Sequence, residues 1–204
     1  AVVMYNFKEL EPLAESDIEY PKSEPYKLCT FSRVMKEKGI EDAINAVESV
    51  NAHFGRTVYT LDIFGQVDVE YKERFSQLEK SFSDYISYGG AIEANKSVET
   101  LKSYFTLLFP TYYKGEGFAG TLIDAMSAGV PVIASDWKYN PEFAVPGKTG
   151  VIIKNCNAER LAEELINIAA APEKWNSMRL SALKESEKYK PDIAARPLID
   201  RING

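Results

Sequence analysis

Residues 109–136 read FPTYYKGEGFAGTLIDAMSAGVPVIASD, and the fold turns on this stretch. An apolar strand pattern over 106–110 leads into a glycine-punctuated turn, Gly115-Glu116-Gly117-Phe118-Ala119-Gly120. A short helix then runs through Met126 and turns at Gly129, and a second apolar strand over 131–134 ends in Ser135-Asp136. Strand, glycine turn, helix and strand in so short a span predict a phosphate and sugar site at the carboxyl edge of a parallel sheet.

The same alternation continues on both sides. Upstream, residues 26–31 form a strand pattern ending in Ser32-Arg33, and a loop over 34–39 leads to a helix with Ile40, Ala43, Ile44, Val47 and Val50 at helical spacing. Strand patterns follow over 58–64 and 85–88, separated by a charged amphipathic helix over 70–82. A short helix is predicted around 97–104. Downstream, residues 150–153 make a last strand, and Asn157 is placed to cap a helix bearing Leu161, Leu165 and Ile168. Pro172 breaks that helix, residues 173–188 resume it, and a final helical segment from Pro191 is interrupted by Pro197. Six strands alternating with helices predict an α/β fold, a doubly wound parallel sheet of Rossmann-like type with right-handed crossovers. Residues 26–204 read as one such domain. Residues 1–25, polar, acidic and carrying Pro12, Pro21 and Pro25, read as a short strand at 2–4 followed by a linker or strap.

Bulk properties narrow the function. The 204 residues carry 24 basic and 30 acidic side chains, a formal net charge of −6, which argues against a nucleic-acid binder needing a basic face. Cys29 lies in an apolar run and Cys156 in a polar turn, without zinc-ligand spacing, so a reduced, cytoplasmic setting is expected. No apolar run approaches the length that crosses a bilayer. Ala1-Val2-Val3-Met4 looks like a strand already under way with no initiator methionine before it, so a longer parent protein is expected.

Ligands of an open parallel sheet bind beyond the carboxyl ends of its strands. Those ends deliver Ser32, Arg33 and Lys38, then Gly90-Ala91-Ile92, then residues 116–120, and last Ser135-Asp136. Two cations and a glycine-framed helix start suit a diphosphate, and Glu116 and Asp124 could accept from sugar or ribose hydroxyls. Taken singly, each piece has an ordinary reading. Arg33 and Lys38 can be solvated loop charges, the glycines can ease a tight turn, and Asp124 can be a surface residue of its helix. Glu116, set between glycines where a helix begins, is the least ordinary, since burying a carboxylate there is costly.

Two motifs carry a family resemblance. Ser32-Arg33-Val34-Met35-Lys36-Glu37-Lys38-Gly39 resembles the Gly-Arg-Leu…Glu-Lys-Gly loop of the retaining family four glycosyltransferases (glycosyl transferases group 1), which have the two-domain GT-B architecture. The segment 116–126, EGFAGTLIDAM, is similar to their Glu-x7-Glu block, and residues 129–136 and 147–150 match in order and spacing. The likeness covers about residues 26–170. It implies the C-terminal, nucleotide-sugar-binding half of such an enzyme, the N-terminal acceptor domain lying outside this chain. By the resemblance, Arg33 and Lys38 grip the donor diphosphate and Glu116 holds the donor sugar's hydroxyls. The backbone around Ser32 and the amides of Gly117, Phe118, Ala119, Gly120 and Thr121 contact sugar and phosphate. Asp124 takes the ribose and the backbone near Ile92 reads the base. Asp124 stands where the family usually has Glu, and Ser32 and Ala119 replace common glycines.

The chain has no Asp-x-Asp, so no metal is expected, nor any cofactor, and the resemblance implies a UDP-sugar or GDP-sugar as donor. It also implies a glycan or lipid-linked acceptor, and membrane-surface contact only through the part not present here, at the inner face. Asp68-Val69-Glu70 is the nearest approach to a metal-binding Asp-x-Asp and reads as a solvated helix start; His53, the sole histidine, reads as a helix-end residue. Tyr112 and Tyr113 are open between a sugar subsite and edge packing. Two other functions fit the pattern: a nucleotide-sugar epimerase of the same architecture, and a non-catalytic nucleotide-binding module. The isolated chain is expected to bind nucleotide and turn over poorly.

Overall fold

Six parallel strands run β3-β2-β1-β4-β5-β6 across the sheet of the computed structural model, which describes residues 7–9 and 11–203. They are β1 (Tyr26–Phe31), β2 (Tyr59–Phe64), β3 (Ile86–Gly90), β4 (Thr106–Phe109), β5 (Val132–Ser135) and β6 (Gly150–Ile153). The expected doubly wound Rossmann-like sheet is therefore present. Both faces of its central strands are covered, which is why β4 and β5 are apolar or small at nearly every position instead of alternating. The strand expected at residues 2–4 lies outside the described residues.

Helices cover the two faces unequally. On one face α1 (Ile40–Phe54), α2 (Lys72–Glu79), α5 (Ala158–Ala169) and α6 (Pro172–Asn176) pack on Leu28, Leu61, Leu108 and Ile133. On the other, α3 (Ser97–Leu101) and α4 (Gly120–Ser127) pack on Cys29, Leu107, Val132 and Ala134, with Phe143 and Tyr189 closing the layer. Alternate residues of one strand thus feed different cores, as the two-residue repeat requires. The guanidinium of Arg179, in α7 (Arg179–Ser186), is fully buried. It donates to the carbonyls of Tyr104 (2.9 Å) and Lys102 (3.0 Å) just beyond α3, and burial pushes its pKa down to about 10.

Three helix boundaries differ from the sequence reading, each for a local reason. The helix expected over 70–82 is a single 3-10 turn, Val69–Tyr71, followed by α2, which stops at Glu79. There the Ser81 hydroxyl donates to the Leu78 carbonyl (2.8 Å), offering that acceptor a side-chain partner. The helix expected over 173–188 is split into α6 and α7, where the Ser177 hydroxyl likewise takes the Lys174 carbonyl (2.7 Å). The final break falls at Ala195, between α8 (Pro191–Ala194) and α9 (Arg196–Asn203), and not at Pro197. Pro197 sits in the first turn of α9, where no donor is needed. Asn157 caps α5 as expected, its side-chain oxygen accepting from the Arg160 amide at 2.9 Å.

Residues 11–25 run over the α4 and α7 side of the domain as a strap. The Leu13 amide donates to the Ser127 carbonyl (2.9 Å), Ile18 is buried, and the Pro21 carbonyl accepts from the Asn176 side chain (2.7 Å). Just upstream, the Lys8 amide donates to the Tyr189 carbonyl (3.3 Å), joining the strap to the turn between α7 and α8. No helix among the described residues is long and apolar enough to cross a membrane.

Candidate functional site

The strand order reverses between β1 and β4, which lie side by side at the centre of the sheet. Successive connections leave that point in opposite directions, so their loops part and open a crevice at the carboxyl edge. The loop after β1 carries Ser32, Arg33 and Lys38; the loop after β4 carries Thr111, Tyr113 and Glu116.

Gly39 is the joint between the two loops. Its φ of +71° is left-handed, and a Cβ there would lie 2.4 Å from the Pro110 carbonyl oxygen, so only glycine lets the loops meet this closely. The contact is reinforced by the Tyr112 amide donating to the Glu37 carbonyl at 2.8 Å. It brings the Lys38 ammonium to 2.6 Å from a Glu116 carboxylate oxygen, with both side chains only 9% exposed. The same oxygen lies 2.9 Å from the buried Thr111 hydroxyl. Thr111 is in turn held by β5, since the Ser135 hydroxyl donates to its carbonyl at 2.5 Å.

Tyr113 supplies a floor for the cations. Its ring centroid lies 5.2 Å from the Arg33 guanidinium carbon and 5.3 Å from the Lys38 ammonium, and Trp137 fixes its backbone through an indole N–H to carbonyl bond of 2.8 Å. Arg33 is half exposed and meets Asp68 only at 3.5 Å, so it is available to an incoming anion. The glycine loop leads into α4, whose Ala119 N-cap has no side-chain acceptor. The Ala119 carbonyl accepts from the Leu122 amide at 3.0 Å, and no side chain of the N-cap residue takes the other amides of the first turn. Phe118 leans away from the crevice onto Phe143 and Tyr189, with ring centroids 4.8 and 5.5 Å away, and this holds the loop down.

Asp124, one turn into α4, is buried. Both its oxygens are engaged by the Lys8 ammonium, at 2.6 and 2.7 Å. Desolvation pushes its pKa above the ordinary aspartate value, with Lys8 and the Ser97 hydroxyl pulling the other way. Beside it a cleft of about 570 Å³ opens between strap residues Glu9 and Glu11 and the start of α3 at Ala94, Asn95, Ser97 and Val98. That volume lies within the roughly 300–1,000 Å³ of small-molecule sites. Ile92, after β3, is partly buried against the core on that side of the sheet.

The structure thus gathers Arg33, Lys38 and Glu116 around Tyr113 and Thr111, and places Asp124 under the strap. Thr111 and Lys8 were missed from sequence, whereas Tyr113, left open there between a sugar subsite and edge packing, lies against the two cations. Lys8 lies in a stretch without periodicity, while a threonine just past a strand end carries no signal of its own. Asp68 caps a 3-10 turn by accepting from the Glu70 amide at 3.1 Å, and no cluster of three potential metal ligands occurs among the described residues. His53 is near the C-terminus of α1, at the opposite edge of the sheet, with its ring edge-on to Phe54.

The family model described as glycosyl transferases group 1 matches residues 14–185, which takes in Arg33, Lys38, Glu116 and Asp124. The chain belongs to the group 1 glycosyltransferases. Among group 1 relatives, the GtfA subunit of the UDP-N-acetylglucosamine–peptide N-acetylglucosaminyltransferase of Streptococcus gordonii is 33% identical over 139 residues. The match takes in 67% of this chain and 26% of that protein. The chain therefore spans about a quarter of the length of that relative. Among solved structures, the pneumococcal O-GlcNAc transferase GtfA in complex with UDP and GlcNAc superposes with a TM-score of 0.70 at 24% identity. It covers 88% of this chain and 35% of that one. Anabaena Alr3699/HepE in complex with UDP and glucose superposes at 0.77 and 15% identity, over 100% of this chain and 56% of that one. At those identities the two structures establish the shared fold.

Proposed function

We propose that this chain is the donor-binding domain of a retaining glycosyltransferase, taking a nucleotide-diphosphate sugar at the crevice between the loops after β1 and β4. The observation that carries the reading is the Lys38–Glu116 pair. A cation and a carboxylate fixed 2.6 Å apart suit a ligand that presents phosphate oxygens and sugar hydroxyls on neighbouring atoms. Lys38 and Arg33 face the diphosphate, and the amides of residues 117–121 share its charge. As the bond from the sugar carbon to the phosphate oxygen breaks, the electron pair leaves with the diphosphate, and both cations stabilise the growing charge. Glu116 accepts from hydroxyls of the donor sugar. Asp124 takes the ribose, and the backbone near Ile92 meets the base.

UDP is the nucleotide we favour, because both solved neighbours named above hold it. The site for the acceptor, a glycan or a lipid-linked sugar, and further catalytic groups come from sequence beyond these 204 residues. That accords with the small share of its relatives that this chain spans. Calorimetric titration of the chain with UDP, GDP and their hexose conjugates tests the reading. Binding of UDP with the fold intact is the expected result; absence of binding by every nucleotide removes the donor-site assignment. Glycosyl transfer by this chain alone at the rate of a longer parent would refute the division of labour.

A further inference from the structure

Lys8 has no place in the donor site described above, yet its ammonium occupies the residue assigned to the ribose. Both Asp124 oxygens are on it, and the Asp124 side chain is 3% exposed, so a ribose diol reaches no free acceptor until Lys8 moves. The lysine is also badly placed electrostatically. A Cβ built on Gly120, the first residue of α4, would meet Lys8 Cδ at 3.8 Å and Nζ at 4.0 Å, so a cation sits against the positive end of a helix. Among the described residues, Asp124 is the charged side chain paired with it. The Lys8 side chain is 31% exposed, whereas its backbone is tied to Tyr189, so the side chain can swing without the strap lifting.

We infer that Lys8 is a nucleotide-binding residue that exchanges partners: the ribose takes Asp124, and the displaced ammonium pairs with the diphosphate arriving at the start of α4. This rests on the donor-site reading and extends it, by making the strap part of the site. Ribose and phosphate then act on Lys8 in opposite senses. A nucleoside must break the Lys8–Asp124 pair with nothing to give the lysine in return, while a nucleoside diphosphate supplies the new partner.

The test compares the parent chain with Lys8→Met, titrating UDP by calorimetry and uridine by ligand-observed NMR, with thermal melts to confirm folding. The expected result is UDP binding weaker by about fivefold to tenfold and uridine binding tighter by a few-fold, one charge-assisted contact being lost and one competitor removed. UDP affinity that is unchanged or stronger, or uridine affinity that is unchanged or weaker, overturns the exchange. A second measurement needs no variant. In ¹⁵N-lysine-labelled parent chain, the paired Lys8 ammonium resonance should be lost on adding uridine and reappear, shifted, with UDP; a resonance indifferent to uridine overturns the inference. Should the parent bind neither nucleotide, the donor-site reading fails and takes the exchange with it. UDP binding that ignores Lys8 removes the exchange alone.

Discussion

Lys38 and Glu116 come from loops 78 residues apart in sequence, yet their charged atoms lie 2.6 Å apart in a position that excludes nine-tenths of the solvent. Removing one partner strands the other. Lys38→Met is therefore expected to destabilise the fold by about 3 kcal/mol, and Lys38→Met with Glu116→Gln to recover most of that loss. Urea unfolding of the two single variants, the double variant and the parent closes the cycle. Additive losses would show that the two residues do not interact.

Arg33 should behave differently. It is half exposed, and its ion pair with Asp68 at 3.5 Å contributes little to stability in water. Arg33→Ala should leave the unfolding midpoint within the error of measurement while weakening UDP binding by about tenfold, since a charge facing phosphate is lost. Calorimetry beside a denaturation curve separates the two effects.

Gly39→Ala tests the joint between the loops. The new methyl would enter the Pro110 carbonyl at 2.4 Å from a backbone already at φ +71°. The expected cost is at least about 2 kcal/mol, from strain together with the displaced contact. The loss of UDP affinity should exceed that of Arg33→Ala, because Lys38 and Glu116 no longer meet.

A pH dependence follows from Asp124. Its folded-state pKa is raised, by desolvation first, above the ordinary value of 3.8. Between that value and the raised one the folded state binds a proton that the unfolded state does not, so stability falls as pH rises through the window. Because Asp124→Asn has no such proton to release, the parent should lose stability relative to the variant as the pH rises above 3.8. The variant should also bind uridine less well. A stability difference between the two that does not change with pH across that window would contradict the raised pKa.

The fold was legible because its signals are redundant. Six strand patterns bounded by Gly, Ser and Asp, with helical spacing between them, leave little besides a parallel sheet, and Arg33, Lys38 and Glu116 follow from asking what its carboxyl edge carries. Two of the missed helix ends coincide with serine hydroxyls taking helix carbonyls, and the third with a proline admitted to the first turn of α9, choices that propensity alone does not settle. The missed site residues depend on tertiary placement. Thr111 matters because Ser135 and Glu116 both reach it, and Lys8 because a non-periodic strap crosses α4 at Asp124. Sequence spacing records none of those meetings.

One further consequence lies in Tyr189. Its carbonyl takes the strap at Lys8, and its ring bears on Phe118 in the glycine loop. The N-terminal strap and the turn that leads into α8 therefore meet at one residue, whose ring rests on Phe118, two positions along the chain from Glu116. Anchorage of the strap and support of the glycine loop share that one tyrosine.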